Sequence, residues 1–270
     1  MLKELGLAKS SYYYWVKTLK RADKYADERI LITEIFKENY ECYGYRRIYG
    51  VLKNQGIILS EKIVRRIMKE EHLIITQKVR KKYSSYLGEI SPAVPNLVQR
   101  NFHAGQPNVL WVTDVTEFAI SSGKTYLSAI IDCSDGMIAA WSIGTKPDSC
   151  LVNDMLDKAI SSLKSDEKPV IHSDRGGHYR WPGWIERMEQ AGLTRSMSMK
   201  GCSPDNAACE GFFGRIKNEM FYNRDWRGVS IREFIKILND YLVWYNEKRI
   251  KASLGYMSPV QYRRSLGLLP

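Results

Sequence analysis

The 270-residue sequence contains no apolar run approaching the ~18 to 20 residues that a helix needs to cross a bilayer. Its opening segment, MLKELGLAKSSYYYW, lacks the uninterrupted apolar stretch of a secretion signal. Cysteine is sparse: Cys42, Cys133, Cys150, Cys202 and Cys209 form an odd set without a CxxC pair. This argues against a disulfide framework, and reduced thiols agree with the cytoplasmic location expected of the chain. Cys202 and Cys209 stand near His172 and His178, but not at the spacings of zinc motifs, so packing is the plainer role for them. Negative charge is also in deficit, with 30 Asp and Glu against 41 Lys and Arg. Residues 1 to 100 hold 20 of the basic and 11 of the acidic side chains, so the surplus is concentrated in the N-terminal third. Such a region suits a polyanionic partner.

A hydrophobic fraction of 44% is ordinary for a globular protein, and the length is enough for roughly two domains. Residues 1 to 82 read as helical. A turn in LGLAKSSYYYWVK leads into a helix starting near Ser10, and DERILITEIFKENY places Ile30, Ile35 and Phe36 among charges, with Asp27 as the expected N-cap. YGYRRIYGVLKNQG, carrying Arg46 and Arg47, predicts a short helix closed by Gly56. SEKIVRRIMKEEH predicts another, with Ile63, Ile67 and Met68 inward and Lys62, Arg65, Arg66 and Lys69 outward. Helix, short turn and basic helix are the parts of a helix-turn-helix DNA reader; the plainer alternative is a small bundle with a solvated basic face.

Periodicity disappears between residues 83 and 108, where Pro92, Pro95 and Pro107 punctuate a segment expected to be an interdomain linker lying along the next domain. Strand patterns follow. Residues 109–119, 125–132 and 137–143 are β-rich and separated by short turns, which predicts a three-strand antiparallel meander. An apolar stripe over residues 151–163 predicts a covering helix. A short strand ending at Asp174, a helix over 184–191, a brief strand over 194–198 and a helix carrying Glu210 complete the order. The expected domains are 1–82, a linker over 83–108, an α/β core over 109–222 and a helical extension over 223–270.

Three acids occupy three different settings in this order. Asp114 lies within the first strand on the face of Val112 and Thr116, where a charge is costly. Asp174 ends a central strand before a Gly-Gly turn, the edge at which α/β sheets place ligands. Glu210 follows with 35 residues between, on a helix marked at its start by Ser203 and Pro204. Asn206, Glu210, Phe213 and Lys217 share one stripe of that helix. Crowded carboxylates raise one another's pKa and repel, so such a cluster persists chiefly by holding a divalent cation. Taken singly, each acid has an ordinary explanation: a strand ion pair, a turn, a solvated helix position. Asp132 is the rival acid, although its place beside the CSDG turn favours a hairpin role.

The chain resembles the IS-three-type insertion-sequence transposases, specifically their second reading frame (OrfB), within the DDE transposase and retroviral integrase superfamily. The resemblance rests on YGYRRI, NLVQRNFHAGQPNVLWVTDVTEF, HSDRGGHY, DNAACEGFFGRIKNE and YNEKRIKASLGYMSPVQYR, and covers nearly the whole chain. The tail departs from the commoner RPHSSLG form and looks more like the IS-one-fifty subgroup. The resemblance implies a ribonuclease H-like core, a five-stranded mixed sheet flanked by helices, behind a helix-turn-helix-like domain. It implies that Asp114, Asp174 and Glu210 form a catalytic triad holding two Mg2+ ions, replaceable by Mn2+, with Asp114 bridging both. Lys217 would then meet a DNA phosphate, while Lys62, Arg65, Arg66, Lys69, Arg46 and Arg47 would bind DNA. His172 and His178 are expected to orient or pack, and Trp181, Trp184, Trp226 and Trp244 to serve as core or DNA-facing aromatics. The implied activity is 3'-end cleavage and strand transfer on terminal inverted repeats and target DNA, in the nucleoid of a bacterial cytoplasm. A homo-oligomer on paired ends and fusion with an upstream reading frame also follow from the resemblance. A ribonuclease H-like nuclease that cuts without joining, and a DNA-binding regulator with an inactive core, are the alternatives.

Overall fold

The computed structural model describes residues 8–19, 23–75, 94–199, 203–222 and 224–269. The first residues of the turn expected in LGLAKSSYYYWVK, the first part of the Pro-containing linker and Cys202 lie outside the described residues. The chain divides into two compact units, Met1–Ile75 and Thr76–Pro270. No described helix is long and apolar enough to cross a membrane.

The first unit holds α1 (Lys9–Leu19), α2 (Ala26–Glu38), α3 (Tyr45–Asn54) and α4 (Glu61–Glu70). Ser60 caps α4, its hydroxyl accepting from the Ile63 N–H at 3.4 Å. The cap expected at Asp27 is not formed: Tyr25 occupies the N-cap of α2, and Asp27 sits in the first turn, where an acid complements the helix dipole. On α2 the buried face is Ile32, Ile35 and Phe36, whereas Ile30 is exposed. Val64, Ile67 and Met68 of α4 close the same small core together with Ile48 and Leu52 of α3. Arg29 joins α2 to the end of α4 by pairing with Asp23, Glu70 and Glu71.

The second unit is built on β1 (Leu110–Ile120), β2 (Gly123–Asp132), β3 (Ile138–Gly144), β4 (Val170–Ser173) and β5 (Thr194–Met197), in the order β3-β2-β1-β4-β5. The meander β1–β2–β3 is antiparallel as its short turns require, while β4 and β5 join parallel to β1 after helical crossovers. Central position explains the composition of β1: Leu110 to Thr113 are buried consecutively, with no solvent face. One face of the sheet packs against α5 (Ser149–Ser161) and α6 (Pro182–Gln190), where Trp111, Val152, Met155, Ile171, Trp184 and Met188 form the core. Asp148 starts α5 by accepting from the Leu151 N–H at 3.1 Å. Further elements are α7 (Ala207–Ile216), α8 (Ile231–Glu247), begun by a Ser230/Glu233 capping box, and α9 (Pro259–Ser265).

Residues 94–103 run along this unit and are bonded to it. Ser196 Oγ accepts from the Leu97 N–H at 3.0 Å, Asn96 Nδ2 donates to Asp205 at 3.0 Å, and Arg100 Nε donates to Asp205 at 2.7 Å.

Candidate active site at the sheet edge

The parallel register of β1 and β4 ends with Thr113 beside Ser173. The next residue on each strand is an aspartate, so Asp114 and Asp174 emerge side by side where β4 stops. Asp114 is half-buried; one carboxylate oxygen accepts from the Val115 N–H at 2.7 Å and the other from Asn206 Nδ2 at 3.0 Å. Asp174 turns back to accept from the Gly176 N–H at 2.8 Å. A Cβ on Gly176 would lie 2.8 Å from that carboxylate oxygen, so a larger residue there would push the Asp174 side chain aside. Glu210 is exposed in the first turn of α7, a favourable place for an acid.

The three carboxylates share one electrostatic neighbourhood. Burial first, then the charge of Asp174 and, more weakly, of Glu210, pushes the Asp114 carboxyl up to about 7 against the two hydrogen bonds it accepts. Cys209, buried on α7 beside Glu210, reports the same field: burial raises its thiol well above the ordinary range, and Asp114, Asp174 and Glu210 all add to the rise. Lys217, just past α7, has its ammonium 5.6 Å from the centroid of the Phe118 ring. Burial lowers its pKa, while the charges of Glu117 and Asp114 oppose the fall.

A hard divalent cation suits this donor set. Its side chains offer carboxylate oxygens, and burial with like charge raises the Asp114 pKa, a penalty that bound positive charge would relieve. Among the described residues no three His, Cys, Asp or Glu side chains are gathered tightly enough to cage an ion. The fit therefore lies in donor chemistry and placement.

The remaining sequence candidates fall elsewhere. Asp132 stands apart from the triad, paired with Arg263 at 2.8 Å and accepting from the Asn108 N–H and Trp111 Nε1. His172 is fully buried between Ser196 Oγ at 2.8 Å and the Asp205 carbonyl at 2.9 Å, so its ring packs and orients. The carbonyl requires Nε2 to donate, leaving Nδ1 to accept from Ser196. His178 lies edge-on to Trp181 with ring centroids 4.8 Å apart. Trp184 and Trp244 are buried, and Trp226 packs against Phe221 and Phe234.

On the first unit, Lys62, Arg65, Arg66 and Lys69 all lie on the exposed side of α4. Arg46 is exposed and stacks on Tyr45, which Arg65 also approaches, while Arg47 is half-buried over Tyr43. Two polar residues here have roles that local sequence does not show. Asn206 bonds Asp114, 92 positions away, and Asp205 bonds Asn96 and Arg100, 109 and 105 positions away, tying residues 94–103 to the core beside the site.

Comparison with known proteins agrees with this architecture. Residues 22–83 match an HTH-like domain, and residues 104–203 and 210–266 match models of an integrase core domain. The chain is 54% identical over 269 residues to a Shigella flexneri protein described as a transposase for insertion sequence element IS1353, spanning 100% of this chain and 52% of that relative. The chain thus spans about half the length of that relative. It is 40% identical over 263 residues to InsK of insertion sequence element IS150 in Escherichia coli (strain K12), covering 97% of this chain and 92% of InsK. In fold it is similar to a chain of the simian T-cell lymphotropic virus intasome solved with PP2A regulatory subunit B56 gamma, with a TM-score of 0.51, 16% identity, and coverage of 82% of this chain and 72% of that one. A five-stranded mixed sheet of this order, the two integrase-core matches and the near-complete coverage of InsK lead to one conclusion: the chain belongs to the insertion-sequence transposases of the IS-three type.

Proposed function

We propose that the protein catalyses divalent-metal-dependent 3'-end cleavage and strand transfer of an insertion sequence, with Asp114, Asp174 and Glu210 as its catalytic and metal-holding residues. The observation that carries this reading is the electrostatic crowding of Asp114 by Asp174 and Glu210 where β4 ends beside the middle of β1. Asp114, Asp174 and Glu210 would hold the Mg2+ or Mn2+ ions. Bound there, the ions would supply Lewis-acid activation of the attacking oxygen and charge stabilisation of the leaving oxygen in an in-line displacement.

The chain's own groups prepare the site. Asn206 holds one oxygen of Asp114 and fixes the direction of the other, and the Gly176 N–H does the same for Asp174. Lys217 meets a phosphate beside the scissile bond. In the first step water attacks phosphorus and the element's 3' oxygen leaves; in the second that 3'-OH attacks a target phosphodiester and the target's own 3' oxygen leaves. No covalent link to the protein is needed. Lys62, Arg65, Arg66 and Lys69, with Arg46 and Arg47, bind the terminal repeats in this reading, as residues 1–82 form the DNA-binding part, 83–108 the linker, 109–222 the catalytic core and 223–270 its helical extension. Paired ends call for a homo-oligomer, and an upstream partner segment belongs to the same reading.

The substitution Glu210→Gln tests the proposal directly. It is expected to abolish Mg2+-dependent cleavage of the cognate end while end-DNA binding, followed by fluorescence anisotropy, persists. Cleavage at the wild-type rate would remove Glu210 from the site. A pre-nicked end separates joining from cutting: cleavage without strand transfer would favour a nuclease.

A further inference from the structure

Immediately after α7 the backbone widens into a π-helical turn, Lys217–Phe221, in which the Tyr222 N–H donates to the Lys217 carbonyl at 2.8 Å. Turns of this kind are uncommon and occur frequently at functional sites. Here the turn begins at the lysine seven positions beyond Glu210. Among its contacts Glu219, at the centre of the turn, accepts three hydrogen bonds, from Arg249 Nε at 2.8 Å, Arg249 Nη2 at 2.6 Å and the Tyr241 hydroxyl at 2.7 Å. Arg249 is 1% exposed, and its guanidinium lies 5.1 Å from the centroid of the Tyr245 ring.

Stability alone does not account for a charged pair at this depth. Apolar side chains of similar volume usually serve a buried position as well or better, because burying two ions costs desolvation. What a bidentate pair adds is direction, since two parallel bonds admit one orientation of carboxylate and guanidinium. That orientation is passed along the turn to both of its ends. At one end Lys217 stands over the Phe118 ring, and at the other Phe221 meets the same ring edge-on, with centroids 5.2 Å apart. Phe118 lies on β1, two alternations from Asp114 and on the same face of the strand.

We infer that the buried Glu219–Arg249 pair is a positioning device, which locks the wide turn after α7 and so sets Lys217 over the Phe118 ring, on the face of β1 that carries Asp114. The residues that follow α8 thereby become part of the active-site scaffold, although Arg249 touches none of the reacting groups. This role rests on the reading of Asp114, Asp174 and Glu210 as the catalytic site.

The test uses the full chain carrying Glu219→Met and Arg249→Met together, an apolar replacement chosen to retain the fold, as judged by circular dichroism. Lysines are labelled by reductive 13C-methylation, and the Lys217 signal is identified by its loss in Lys217→Arg. In the wild type the Phe118 ring current displaces that signal from the solvated lysines. In the double variant it is expected to move to the solvated position, and joining of a pre-nicked end to fall about 100-fold, the scale of an ångström-sized misplacement. End-DNA affinity should stay near that of the wild type. A displaced Lys217 signal that persists in the folded double variant, or joining that continues at the wild-type rate, would overturn the inference. Should the double variant fail to fold, Tyr241→Phe removes one of the three bonds, and a smaller change in both readouts is expected; no change in either also overturns it. A wild-type chain whose Lys217 signal depends on the pair but which joins no DNA would refute the carboxylate reading while supporting the placement of Lys217.

Discussion

Two aspartates of the core sheet, Asp114 on β1 and Asp132 at the end of β2, meet opposite fates. Asp132 is fully buried, and each of its oxygens is satisfied: one by Arg263, the Asn108 N–H and Trp111 Nε1, the other by the N–H and hydroxyl of Ser134. Asp135 shares the same arginine at 2.6 Å. Asp114 receives two N–H donors, but the strongest charges on it are those of Asp174 and Glu210. Among the described residues it has no ion-paired cation. A compensated carboxylate fastens α9 to the turn after β2, whereas the uncompensated one has its pKa raised by burial and like charge. Position within a strand does not separate the two; their partners do.

Breaking the compensated cluster should have the largest effect. Arg263→Ala leaves Asp132 and Asp135 buried without their cation and is expected to cost roughly 3–5 kcal/mol of stability. Urea denaturation would measure it, and a loss below about 1 kcal/mol would mean that the two aspartates find other partners.

The opposite result is expected at the other cluster. Burial and like charge hold the Asp114 pKa at about 7, above the ~3.9 of an unfolded chain, so the folded state keeps the proton longer. Stability without divalent ions therefore falls as pH rises from about 4 to about 7, and then levels. Asp114→Asn removes that loss. The variant should gain on the order of 1 to 4 kcal/mol over the wild type in EDTA at pH 8, gain little at pH 4, and lose Mg2+-dependent cleavage. Parallel melting curves at both pH values would show that the crowding carries no energetic cost.

The smallest effect sharpens the contrast with exposed charge. On α4 the arginines are solvated; the contact of Arg66 with Glu70 is long, at 3.7 Å. Arg65→Ala with Arg66→Ala should leave stability nearly unchanged, weaken end-DNA binding and lower the salt slope by about one to two. An unchanged slope would mean that neither side chain meets a phosphate.

Much of the fold could be read from local pattern. The β-rich runs with short turns foretold the meander, and Ser60 capped the helix it precedes. Asp27 did not cap, because Tyr25 begins α2 two residues earlier, and Ile32 replaced Ile30 in the core because the helix turns that face inward. Errors of this size come from rotational phase, which tertiary packing fixes. Strand alternation correctly set Asp114 on the Val112 and Thr116 face, and the strand end correctly set Asp174 at the edge. Asn206, Asp205 and Arg249 were illegible as partners, since a hydrogen bond between residues far apart in the chain leaves no mark on either local sequence.

By itself the sequence determined the order of strands and helices, the settings of three acids and the concentration of basic charge before residue 100, because periodicity, caps and charge counts are local properties. Only the tertiary structure decided which charges are neutralised. Parallel pairing of β1 with β4 brought Asp114 beside Asp174, α7 carried Glu210 toward them, and α9 delivered Arg263 to Asp132 instead. Coulomb energy depends on distance through space, and the fold sets that distance.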